Sequence, residues 1–143
     1  MGDITVVAAD VGVAYPGPAH AEILPGIAAV ALTAGLPLYQ NTSGLFAIAD
    51  ASAESTAGFR GVCLNAAHAG GRIDILKRGY LTGYTLGTYD DLVYLSDTDT
   101  GAFSSDEGTV SVRCGRVCSR SDPALTELLY IEADWLDSRE DDA

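Results

Sequence analysis

The chain has 143 residues, a length that suits one domain with a single core. Apolar residues make up 48% of it and glycine occurs 16 times, which favours a folded, turn-rich β protein over a disordered one. The formal charge of −12, from 20 acidic and 8 basic residues, argues against nucleic acid and anionic membranes as partners, because both attract positively charged proteins.

No segment predicts export or membrane insertion. The longest apolar stretch, residues 23–38, is interrupted by two prolines and two glycines, so no membrane span is expected. The acidic opening Met-Gly-Asp and the short apolar run after it do not form a secretory signal. We therefore expect the protein to stay in the cytoplasm where it is made, with its three cysteines reduced.

The N-terminal 25 residues predict an extended arm. Residues 4–9 have the composition of a β-strand, and residues 10–25 contain three of the five prolines, which cannot lie in a central strand. The apolar side chains of this arm have no evident partner within the chain, so they predict an interface with another protein. They are Ile4, Val6, Val11, Val13, Tyr15, Ile23 and Leu24.

Residues 26–136 predict the β domain. A hairpin is expected from residues 36–39 through a polar turn at 41–44 and back along 45–48. A short helical turn is expected within 51–57, and further strands follow at 59–64, 72–77 and 80–84. Ile73 and Ile75 should share one face, since side chains alternate along a strand.

The second half of this domain resembles the first. Tyr39, Val62 and Cys63 have counterparts at Tyr94, Val117 and Cys118, at an offset of 55 residues, and Ile73 and Ile75 correspond to Leu128 and Tyr130. This predicts an internal repeat of residues 36–79 and 91–134. The predicted fold is therefore mainly β, a single small β-barrel or β-sandwich built from two related β-hairpin modules, with an acidic tail at residues 137–143.

The histidines, cysteines and carboxylates do not form a recognised catalytic or metal-ligating motif. His20 and His68 lie in predicted loops without acidic residues at ligand spacing, and Cys114 and Cys118 should share a strand face and pack in the core. Asp90-Asp91 and residues 97–101 are typical of turns, with weak calcium binding as the alternative for the latter. No enzyme activity, cofactor or metal is predicted.

Several motifs resemble one known class of proteins. They are Gly35-Leu-Pro-Leu-Tyr39, Ser43-Gly-Leu-Phe-Ala-Ile-Ala-Asp-Ala51, Ala57-Gly-Phe-Arg-Gly-Val-Cys-Leu-Asn-Ala-Ala67 and Ala69-Gly-Gly71. In this order they are similar to the small decoration, cement or head-stabilising proteins of tailed bacteriophages, over roughly residues 4–131. The proline-rich arm and the acidic tail depart from that pattern.

The resemblance implies a non-catalytic protein on the capsid exterior of a virion, which binds the major capsid protein and itself, usually as a trimer. The N-terminal arm would then supply the capsid or oligomer interface, and deleting residues 1–25 should affect capsid binding more than folding. Two alternatives stay open. One is a β-rich tail, neck or head-spike component, and the other is a small β-barrel enzyme or metal-binding protein in which His20, His68 or the cysteines gather in one pocket.

Overall fold

A computed structural model describes residues 3–15, 20–98, 100–119 and 127–136 of the chain. These residues form a mainly β structure with twelve strands, two short 3₁₀ turns and no α-helix. The strands are β1 (Asp3–Val6), β2 (Gly12–Val13), β3 (Glu22–Ile27), β4 (Pro37–Gln40), β5 (Phe46–Ile48), β6 (Gly61–Cys63), β7 (Arg72–Thr82), β8 (Tyr84–Thr85), β9 (Leu92–Leu95), β10 (Phe103–Ser104), β11 (Arg113–Ser119) and β12 (Glu127–Glu132).

The strands form one curled, half-barrel antiparallel sheet, so the predicted mainly β class is confirmed. Its order is β5-β4-β6-β7-β12-β11-β9-β10-β1-β8, and β2 and β3 pair with the remaining edge of β7. The described part of the chain contains no helix with the length and apolar character needed to cross a bilayer.

Strand β7 is the centre of the sheet because both of its edges are paired along most of its length. Leu76, for example, lies between Ile23 of β3 and Val62 of β6. Gly79 interrupts the regular alternation with a φ of 153°, a conformation that glycine adopts far more readily than other residues. The sequence predicted two strands, at 72–77 and 80–84, on either side of this glycine. The structure instead has one strand, β7, that runs through Gly79 and is followed by the short strand β8.

Two apolar clusters lie on opposite sides of β7. Ile73 and Ile75 share one face, as predicted, and pack in the smaller cluster, whereas Leu76 and Leu81 belong to the larger one. The register between β3 and β7 shifts next to Ile23. Such an irregularity changes the alternation of side chains, so β7 can contribute side chains to one cluster before it and to the other cluster after it. Trp135 packs against both clusters, and its Nε1 donates a hydrogen bond to the carbonyl oxygen of Arg60 at 2.8 Å.

The extended N-terminal arm is not confirmed, because the described parts of residues 3–25 pair with the sheet. Strand β1 lies between β8 and β10, while β2 and β3 run antiparallel along β7. Pro25 is compatible with this pairing because β3 is an edge strand, where a missing N–H costs no ladder hydrogen bond.

The two halves of the domain have the same strand order. Strands β4 to β7 pair in the order β5-β4-β6-β7, and strands β9 to β12 pair in the order β10-β9-β11-β12, with β7 beside β12. The registers are not identical, since Val62 pairs with Leu76 but Val117 pairs with Leu129 rather than Ile131. The two-module organisation stays a prediction, and the acidic tail at 137–143 lies outside the described residues.

The hairpins and turns follow local sequence chemistry. The predicted turn at residues 41–44 joins β4 and β5, and the Asn41 carboxamide oxygen accepts the N–H groups of Ser43 and Leu45 at 2.9 and 3.0 Å. The short helical turn expected within 51–57 is the 3₁₀ turn Glu54–Thr56. Turn chemistry therefore predicted these connections correctly.

Candidate interaction surface

The predicted interface residues do not form one surface. Ile4, Val11 and Val13 are partly buried and pack against the larger apolar cluster. Tyr15 contacts the ring of Tyr80 edge-on, with ring centroids 5.3 Å apart. These side chains, together with the half-buried Val6 on β1, hold the N-terminal strands onto the sheet, which is why they are less available to a partner.

Ile23 is the predicted interface residue that is well exposed, and it belongs to an apolar stripe along β3. Ile23, Pro25 and Ile27 all point outward, and Val30 continues the apolar surface beyond the strand. The exposed fractions of the three large side chains are 45% for Ile23, 42% for Ile27 and 41% for Val30. We call these four residues the β3 stripe.

The inward face of β3 fixes the orientation of the stripe. A Cβ atom on Gly26 would lie 2.8 Å from Ile75 and 2.8 Å from the ring of Phe46, so this position accepts only glycine without a shift of the core. Leu24 pairs with Ile75 on the same inner face. Since side chains alternate along a strand, Ile23, Pro25 and Ile27 must face solvent.

The backbone N–H groups of odd-numbered residues along β3 point away from β7. The N–H of Ala28 donates to the carbonyl of Gly71 at 2.9 Å, while the N–H of Ala29 donates to Phe46 on the other side at 2.7 Å. By alternation, Pro25 lies where an N–H would be offered to an incoming strand, and proline has none. The stripe is therefore suited to side-chain contacts, because Pro25 cannot donate the backbone hydrogen bond that an added strand would need at this edge.

Charged residues border the apolar stripe. Arg78 and Glu22 form an ion pair at 3.6 Å, and Arg72 and Asp74 form another at 3.9 Å. These pairs are exposed and contribute little to stability. An apolar centre with a charged rim is the usual composition of a protein–protein interface.

The residues beyond Leu24 were missed because the predicted interface was confined to the N-terminal arm. Ile27 and Val30 were assigned to the β domain and not to the interface. The spacing of Ile23, Pro25 and Ile27 at every second residue is a strand pattern, but Pro25 directed the interpretation toward an irregular arm.

The histidines and cysteines are not brought together. His20 lies beside Tyr15 with ring centroids 5.8 Å apart, His68 lies in an exposed turn, and Cys63 and Cys114 pack in different apolar clusters. Among the residues that the structure describes, no three His, Cys, Asp or Glu side chains are grouped as metal ligands would be.

The predicted shared face of Cys114 and Cys118 is wrong. The register of β11 against β9 shifts between Arg113 and Gly115, so Cys114 packs in the same cluster as Val117. Cys118 follows Val117 and therefore points to the other side of the strand. Burial raises the pKa of all three thiols, most strongly at Cys114, so they remain protonated and weakly nucleophilic.

The carboxylates in the turns have structural partners. The turn at 97–101 joins the antiparallel strands β9 and β10, as predicted for a hairpin. The Asp97 carboxylate accepts hydrogen bonds from the N–H and the hydroxyl of Thr109 at 2.6 and 2.8 Å. Asp90 forms an ion pair with Arg116 at 3.4 Å, and Asp99 lies outside the described residues.

Comparison of the chain with protein-family models, with curated proteins and with solved structures finds no match.

Proposed function

We propose that this chain is a non-catalytic structural protein of a virion that binds the exterior of the capsid and stabilises the shell. The observation that carries the proposal is the β3 stripe, an exposed apolar surface with a charged rim at the edge of the sheet. The motif resemblance to phage decoration proteins supplies the partner, the major capsid protein.

The side-chain chemistry supports binding rather than catalysis. The three thiols have raised pKa values, and the turn carboxylates of Asp97 and Asp90 fix loops by accepting a hydrogen bond and by forming an ion pair, respectively. The excess of acid suits a protein outside the shell, because packaged nucleic acid would repel a charge of −12.

The proposed assembly is a symmetric homo-oligomer, most simply a trimer, of subunits built from two related β-hairpin modules. The matching orders β5-β4-β6-β7 and β10-β9-β11-β12 support the two modules. A trimer would contact several capsid subunits at once, so that modest contacts through each β3 stripe add up to tight binding.

The proposal is tested by mixing the protein with purified undecorated shells and measuring co-sedimentation. The double variant Ile23→Glu, Ile27→Glu should bind roughly hundredfold more weakly, since each buried isoleucine contributes at least about 1.5 kcal/mol. Val7→Glu is the matched control, because Val7 is 49% exposed and lies outside the stripe.

Circular dichroism must show that all three proteins are folded. If the double variant sediments with shells as well as the natural chain does, the β3 stripe is not the anchor. If the natural chain itself does not bind, or binds only to tails or necks, the decoration function is wrong.

A further inference from the structure

A second surface is an open groove of about 550 Å³ on the outer face of β11 and β12. Its floor forms where Arg116 pairs with Tyr130, and Trp135 and Leu136 line it beyond the end of β12. Gly115 allows the two strands to approach, because a Cβ atom there would overlap the carbonyl oxygen of Tyr130. The volume is in the range of sites that bind small ligands or short peptide segments.

Basic residues are concentrated at this groove, although the protein as a whole is strongly acidic. Six of the eight basic residues are described, and three of them line the groove, namely Lys77, Arg113 and Arg116. Arg60 is a fourth, since its guanidinium carbon lies 5.9 Å from the centroid of the Trp135 ring. The groove lining thus holds three basic and two acidic residues, whereas acids outnumber bases 20 to 8 in the whole chain.

Two of these cations are available to a partner. Arg116 is paired with Asp90, but within the described ranges neither Lys77 nor Arg113 has a carboxylate at ion-pair distance. The acids that line the groove are engaged locally. Glu132 accepts the hydroxyl of Tyr130 at 2.7 Å, and Asp134 accepts the N–H of Leu136 at 3.0 Å.

Aromatic rings lie next to these cations. The Lys77 ammonium is 5.7 Å from the centroid of the Trp135 ring, and Tyr130 packs against Tyr80 with centroids 5.1 Å apart. Tyrosine, tryptophan and arginine are the side chains most enriched where proteins bind one another tightly. The groove therefore combines apolar contact area with two basic side chains, Lys77 and Arg113, that have no ion-pair partner among the described residues.

We infer that this groove binds an extended acidic peptide segment of a partner protein, with its carboxylates at Lys77 and Arg113 and an apolar side chain against Trp135. Charge complementarity favours carboxylates, and the small number of available cations suits a short segment. A long polyphosphate chain fits poorly, because the rest of the surface would repel it. This inference concerns a different face from the β3 stripe and does not depend on the proposed function.

Trp135 is the only tryptophan in the chain, so its fluorescence reports directly on the groove. The probe is a synthetic peptide of alternating Glu and Asp around one central Leu, and the control peptide carries Gln and Asn instead. The acidic peptide should change the Trp135 emission saturably and the neutral peptide should not. Raising the salt from about 50 mM to about 500 mM should weaken the binding, since exposed charges are screened.

Matched charge reversals test the placement. Arg113→Glu should weaken binding at least about tenfold, because it replaces an available cation with a repelling charge. Arg72→Glu should leave the affinity within about twofold, because Arg72 is exposed but does not line the groove.

Three results would overturn the inference. The first is the absence of a saturable change with the acidic peptide, and the second is an equal loss of affinity in the Arg72 and Arg113 variants. The third is equally tight binding of an oligothymidylate of the same length and charge, which would mean that the groove recognises negative charge in general.

Discussion

Gly115 shows how one residue determines the distance between two strands. It lies in β11 opposite Ile131, and any side chain there would meet the backbone of Tyr130. Backbone atoms cannot move aside as the end of a flexible side chain can, so β11 and β12 would have to separate.

We expect Gly115→Ala to lower the free energy of unfolding by about 3 kcal/mol, the upper part of the range for overpacking. Urea unfolding followed by circular dichroism measures the change. Gly87→Ala is the matched control, because no atom lies within 4 Å of its added Cβ, and it should be nearly neutral. Equal stability of the two variants would contradict this account of the β11–β12 contact.

Buried acidic groups predict how stability depends on pH. Burial raises the pKa of the Cys63 and Cys114 thiols above 9.0 and also raises the pKa of the Tyr84 hydroxyl. In the unfolded chain these groups ionise at lower pH than in the folded protein. The contribution of the thiols to stability is therefore complete below about pH 8, under their unfolded pKa, and is lost as the pH rises further.

The urea midpoint should accordingly fall between about pH 8 and about pH 10, because the free energy of unfolding decreases by at most about 1.4 kcal/mol per pH unit for each thiol. In Cys114→Ala the slope should be smaller, because one titrating group has been removed. A midpoint that does not change over this range would show that the thiols are not protected from ionisation by burial.

At the scale of elements, the N-terminal strands are part of the sheet and not an appendage. β1 lies between β8 and β10, and residues 12–27 follow one edge of β7. The sequence led to the expectation that deletion of residues 1–25 affects capsid binding more than folding, whereas this pairing leads us to expect a large effect on folding.

We expect the chain without residues 1–25 to lose cooperative thermal unfolding, because β1, β2 and most of β3 are removed and one edge of β7 is uncovered. A circular dichroism melt is the measurement. A truncated chain that melts cooperatively within about 5 °C of the full chain, a change of roughly 1 kcal/mol for a domain of this size, would contradict this view of the sheet.

Local chemistry explains which elements could be predicted from the sequence. The Asn41 turn and the turn before β10 depend on residues a few positions apart, and both were placed correctly. The pairing of β3 with β7 joins residues about fifty positions apart, and no local pattern identifies that partner. Gly79 was interpreted as a break because glycine usually weakens strands, whereas here it adjusts a continuous one.

The β3 stripe and the groove could be predicted only in part, because both depend on contacts between residues distant in sequence. Ile23 was identified from its apolar character, but exposure depends on which side of β3 faces the core. That side is determined by the contact of Gly26 with Ile75 and Phe46, residues distant in sequence. The groove depends on the placement of Arg113, Lys77 and Trp135 from three parts of the chain, so the sequence order gave no sign of it.

At the scale of the whole molecule, the two proposed binding surfaces lie on different parts of the sheet. The β3 stripe presents apolar area on one edge of β7, and the groove, with the cations Lys77 and Arg113 unpaired within the described part of the chain, lies over β11 and β12 on the other side of that strand. The overall charge of −12 discourages nonspecific association between copies.

The most direct test of the decoration function is cryo-electron microscopy of undecorated shells after incubation with the purified protein. The account predicts additional density on the outer surface of the shell, at repeated lattice positions, with Ile23 and Ile27 of the β3 stripe facing a capsid subunit or a neighbouring copy. Density confined to the interior, to the neck or to the tail, or a β3 stripe that faces solvent in the bound protein, would contradict it.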